Sequence, residues 1–77
     1  MTPASIAREL TPAQRRALWR VQEQLFDARA TVAAHGMTMR ALRSRGVVTG
    51  AMPWAYLTPF GRDVIAAAGL TAAEFAA

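Results

Sequence analysis

Three features of this chain describe a mostly α-helical fold with one small β-hairpin. Thr-Pro occurs three times, at Thr2-Pro3, Thr11-Pro12 and Thr58-Pro59. A threonine N-cap accepts from a free backbone N–H, and proline suits the next position, where its missing donor is not needed. Leu18, Val21, Leu25 and Phe26 recur at helical spacing behind the second pair. Two runs rich in β-branched and aromatic residues, Val47-Val48-Thr49 and Trp54-Ala55-Tyr56-Leu57, flank the turn-prone Gly50-Ala51-Met52-Pro53.

Taken in chain order, Thr2-Pro3 can open a short first helix. Thr11 opens the strongest one, over residues 12–26, because Gln14 three positions on completes a capping box. Arg15, Arg16, Arg20 and Glu23 mostly occupy the faces away from its apolar stripe. Asp27 either caps a second helix or sits in a bend. Residues 28–35, with Val32 available to the core, are either a separate helix or an extension of the one before, and Gly36 can end it. Thr38 then caps a short helix over 39–45, stopped by Gly46. At about 100° per residue, Met39 and Leu42 share one face of it, while Arg40, Arg43 and Ser44 project from the other. After the hairpin, Thr58-Pro59 opens a helix through Phe60, Val64 and Ile65 that ends near Gly69. A last short helix starts from Thr71, with Glu74 in capping-box position. There is no internal repeat and no linker.

Seventy-seven residues allow one domain, and a chain of this size buries only about 60% of the surface its unfolded form exposes. It has no cysteine, so neither a disulfide nor a thiolate zinc site can add stability. With 53% hydrophobic residues and a mean hydropathy of +0.15 the chain is too apolar for disorder, and apolar enough that a partner is expected to cover part of it. The longest uncharged run, 46–61, is broken by Gly50, Pro53 and Pro59 and falls short of the roughly 18–20 apolar residues of a membrane span. Arg8 and Glu9 interrupt any secretory signal. The expected location is therefore the cytoplasm.

Nine arginines face five carboxylates, for a net charge of +4, and there is no lysine. The placement is uneven. Residues 28–62 hold five arginines (Arg29, Arg40, Arg43, Arg45 and Arg62) and no carboxylate. A segregated positive field attracts polyanions, nucleic acid first among them; the alternative is an ordinary solvated basic surface.

No catalytic constellation is legible. Ser5 and Ser44 are the only serines and neither lies in a nucleophile motif, and there is no Gly-rich phosphate loop. His35 is the only histidine and suits a capping or surface role, since no metal-ligand set assembles around it. No enzyme activity, metal or cofactor is expected.

The segments Leu10-Thr11-Pro12-Ala13-Gln14-Arg15-Arg16-Ala17-Leu18, Ala41-Leu42-Arg43-Ser44-Arg45-Gly46-Val47-Val48 and Leu57-Thr58-Pro59-Phe60-Gly61-Arg62 occur in an order that resembles the winged helix-turn-helix family of DNA-binding regulators, over about residues 10–69. The resemblance implies a three-helix core, a short wing and a C-terminal helix within one domain spanning 1–77, with short helical extensions at both ends. In that family the second segment ends the recognition helix and begins the wing. Carried over by position, Thr38, Arg40, Arg43 and Ser44 would meet double-stranded DNA in the major groove. An arginine fork suits the two guanine acceptors, and Ser and Thr are adaptable donors. Arg45 is placed for a phosphate or the helix's own carbonyls. Arg29 and Arg62 would hold backbone phosphates. A helix this short reads few base pairs, so a homodimer on two half-sites is expected of a bacterial or phage transcriptional regulator.

The wing tip carries Ala51, Met52, Pro53 and Trp54 and no basic residue, which suits protein contact better than phosphate contact. This supports a second reading: a phage-type interaction module that binds and inhibits a host nucleic-acid-handling defence complex. Its interface would use Met52, Pro53 and Trp54, with Tyr56, which alternates with Trp54 on one hairpin face, or Trp19. The plainer expectation packs Trp54 and Tyr56 on the C-terminal helix and puts Trp19 in the core or a dimer interface.

Overall fold

The computed structural model describes residues 1–23, 36–50 and 55–75. Among these the chain is mostly helical, with a two-stranded antiparallel hairpin. The elements are α1 (Pro3–Glu9), α2 (Pro12–Glu23), α3 (Gly36–Ser44), β1 (Val48–Thr49), β2 (Tyr56–Leu57), α4 (Pro59–Ala68) and α5 (Ala72–Phe75). The expected segment 28–35 with Arg29, Val32 and His35, and the expected contact residues Met52, Pro53 and Trp54, lie outside the described residues, as do Leu25 and Phe26.

Each Thr-Pro pair opens a helix. The Thr2 hydroxyl accepts from Ser5 N at 3.1 Å and the Ser5 hydroxyl accepts from Thr2 N at 3.1 Å, a closed capping box. Thr11 and Gln14 repeat the exchange at 3.1 Å in both directions. Thr58 caps α4 by accepting from Gly61 N at 2.9 Å. Two glycines end helices in the left-handed conformation that side chains avoid. At Gly46 (φ 75°) the Gly46 N–H donates to Arg43 O at 3.0 Å and the Val47 N–H to Leu42 O at 3.2 Å. Gly69 (φ 67°) builds the same motif with Ala66 O and Ile65 O. In both, the residue after the glycine turns inward, and Val47 and Leu70 are buried.

The core runs from Ile6 through Ala17, Leu18 and Val21 of α2, Met39 and Leu42 of α3, Val47, Val48 and Ala55 of the hairpin, to Val64, Ile65 and Leu70. Complete burial of a side chain such as Ile6, Leu18, Met39 or Leu42 is worth about 1.5–3 kcal/mol each. α1 lies against α4, and α2 against α3 and β2. The hairpin pairs Val48 with Leu57 and Thr49 with Tyr56, shorter than the runs read from composition. Among the described residues no helix is long and apolar enough to cross a membrane.

Two expected caps are corrected. α3 begins at Gly36, so Thr38 stands inside the helix rather than at its cap; the helix that Gly36 was expected to end lies outside the described residues. The capping box at Thr71 and Glu74 is likewise absent from the bonds made: the Glu74 carboxylate is taken by Arg15 Nε at 2.8 Å and Nη2 at 2.6 Å. A bidentate arginine outcompetes a single neutral amide for a carboxylate.

Candidate nucleic-acid interface

The candidate surface is the outer face of α3. Met39 and Leu42 anchor the helix, both fully buried. At about 100° per residue, the direction opposite them is occupied by Met37, Arg40 and Ser44, at i, i+3 and i+7. All three are exposed, Met37 to 78%. Arg43 flanks this stripe on one side and Thr38 on the other, each half-buried. The helix carries two arginines and no carboxylate.

The expected contact residues thus divide. Arg40 and Ser44 face solvent as the helical wheel requires. Arg43 is engaged within the chain, its Nε donating to Gly50 O at 3.1 Å, which ties α3 to the residue that follows β1. Gly50 adopts φ 109°, a region that favours glycine. Arg45 leans toward the end of α1, its Nη2 standing 3.8 Å from Glu9 Oε1, so its charge is answered by a carboxylate of the same molecule. Its Nη1 is buried without a hydrogen-bond partner. Arg62 is exposed on the first turn of α4, beside the exposed Asp63.

The candidate protein-contact residues divide too. Tyr56 projects outward from β2 and is 46% exposed. Trp19 is half-buried and stacks on Phe75 of α5, with ring centroids 5.7 Å apart and planes 15° apart. One ring face of Trp19 is therefore covered within the chain. Among the described residues no group of three or more His, Cys, Asp or Glu could hold a metal ion.

Two features escape a reading of the sequence. Phe75 and Glu74 act together to hold α5 on α2, the ring on Trp19 and the carboxylate on Arg15, whose Nη2 also donates to Ala68 O at 3.3 Å. Met37 is the other. Its signal was present in the spacing to Arg40 and Ser44, but it only emerges once the helix starts at Gly36. Comparison with family models, curated proteins and solved structures finds no match to this chain.

Proposed function

We propose that this chain is a small winged-helix DNA-binding protein of the regulator type, with α3 as the helix that enters the major groove. The observation that carries this reading is the outer stripe of α3. It exposes Arg40 and Ser44, bears no carboxylate, and is followed by an antiparallel hairpin in the position of a wing. An exposed arginine held on a rigid helix can present its fork to guanine O6 and N7. The reading assigns no catalytic residue and no cofactor. A homodimer on two half-sites supplies the length of sequence that one nine-residue helix cannot read.

Fluorescence anisotropy with a duplex at low and near-physiological salt tests it. Binding at low salt should weaken with a log–log slope of about −3 or steeper, the mark of several phosphate contacts. Arg40→Ala should weaken binding to a preferred site by about 1–3 kcal/mol with the helical circular dichroism unchanged. Arg43→Ala is the poorer probe, because Arg43 also holds Gly50. Absence of binding at low salt would remove the DNA reading. It would favour the interaction module, for which the half-exposed Tyr56 on the outer side of β2 is the specific observation.

A further inference from the structure

The outer stripe of α3 combines two chemistries that a solvated basic helix does not need together. Among the described residues the exposed large hydrophobic side chains are Met1, Met37 and Tyr56, and of these Met37 alone lies within a helix. It stands three residues before Arg40 on the same face. Residues so spaced are neighbours on a helix surface, about 5–6 Å apart at Cβ. Their separation along the axis is about 4.5 Å, and stacked bases succeed one another about every 3.4 Å. From Met37 to Ser44 the stripe covers about 10.5 Å, or roughly three base-pair steps.

Base edges in the major groove offer one apolar group, the thymine 5-methyl, and guanine offers the acceptor pair that fits an arginine fork. Methionine is unbranched and polarisable, so it can settle on a methyl group without demanding one rotamer. We infer that Met37 is a specificity-determining residue that covers the methyl group of a thymine next to the guanine met by Arg40, an inference that rests on the DNA-binding reading above. The complementary occupant is argued from charge and polarity at once. Arg40 and the absence of any carboxylate on α3 suit a polyanion, and Met37 suits an apolar group presented by that polyanion.

The test is selection from a random duplex library with the intact chain. The selected site is then made with deoxyuridine in place of each thymine in turn, which deletes one methyl group and leaves the hydrogen-bonding pattern. One position should weaken binding about fourfold, the worth of a single buried methyl. Met37→Ala should bind the thymine and deoxyuridine sites equally. Arg40→Ala should lose the adjacent guanine preference and keep the methyl sensitivity. Met37 is exposed, so its replacement leaves the core intact, which circular dichroism checks.

The failures are distinguishable. If no duplex binds at low salt, the DNA reading falls and this inference with it. If duplex binds without an enriched site, or if deoxyuridine has no effect, or the same effect in Met37→Ala, the inference is overturned while DNA binding stands.

Discussion

The two ends of α4 are built from the same local parts and joined to the rest of the molecule in different ways. Each has a left-handed glycine nearby, Gly46 before the hairpin and Gly69 at the helix end. Each also has a threonine, Thr58 or Thr71, placed to cap the next helix. At the first end the joint is made by backbone. The Thr58 N–H donates to Val47 O at 3.2 Å, and the Thr58 hydroxyl donates to Gly46 O at 2.6 Å. Gly61 is buried, and a Cβ there would run into Val47 O. At the second end, α5 is held by the Arg15–Glu74 pair and the Trp19–Phe75 stack, both side-chain contacts near the surface. At these two threonines the capping signature marks where a helix begins, while the strength of its attachment depends on the groups that approach from elsewhere in the chain. A backbone seated against backbone is dry and stereospecific; an ion pair at the surface is solvated and weak.

The heaviest loss is expected from breaking the first joint. Gly61→Ala forces its methyl against a carbonyl that cannot rotate away, so α4 must shift off the hairpin. A destabilisation of about 3 kcal/mol is expected, the upper end of what overpacking costs, which lowers Tm by about 10 °C or more. Thermal unfolding followed by circular dichroism measures it. A variant as stable as the parent would show that the close approach of Gly61 to Val47 is not what fixes α4.

A milder loss is expected at the second joint. Phe75→Ala removes the ring over Trp19 and should cost about 0.5–1.5 kcal/mol. Trp19 emission should shift to the red as its face meets water, which Trp54→Phe as background makes a one-tryptophan measurement. If this substitution costs more than Gly61→Ala, the ranking of the two joints is reversed and α5 belongs to the core in energetic terms.

The starts of α1, α2 and α4 were legible because Thr-Pro and the Thr11/Gln14 box act within one turn, and the helix stops at Gly46 and Gly69 because the left-handed residue is local too. The burial of Met39 and Leu42 and the exposure of Arg40 and Ser44 came from the helical period. Contacts between distant residues were not legible. Glu74 has the spacing of a capping box to Thr71, yet Arg15, 59 positions away, takes its carboxylate. The Trp19–Phe75 stack and the Arg43–Gly50 bond are invisible for the same reason, since a local pattern says nothing about which side chain arrives from another element. The candidate surface suffered from a two-residue displacement. With Thr38 as cap, Met37 falls before the helix and has no face; with the start at Gly36 it joins the stripe of Arg40 and Ser44.

The slightest effect separates the two joints through pH. Hydrogen bonds from Arg15 hold the Glu74 carboxyl below its ordinary value of 4.5; desolvation opposes this in part, and the attraction of the guanidinium charge adds to it. The same hydrogen bonds raise the pKa of Arg15. A carboxyl that titrates lower in the folded chain than in the unfolded one binds fewer protons when folded, so it stabilises at high pH. Its contribution is whole above the unfolded value and is lost as pH falls through the lowered folded value. Glu74→Gln should therefore unfold slightly below the parent in Tm at pH 7, and the two curves should converge as pH falls below the unfolded value near 4.5. Added salt at pH 7 should narrow the same gap, because the pair is partly solvated. Gly61→Ala should show neither dependence, since its clash involves no titrating group. A Glu74→Gln difference that persists unchanged in acid would mean that α5 is held by the ring stack and the Leu70 turn, with the ion pair a bystander.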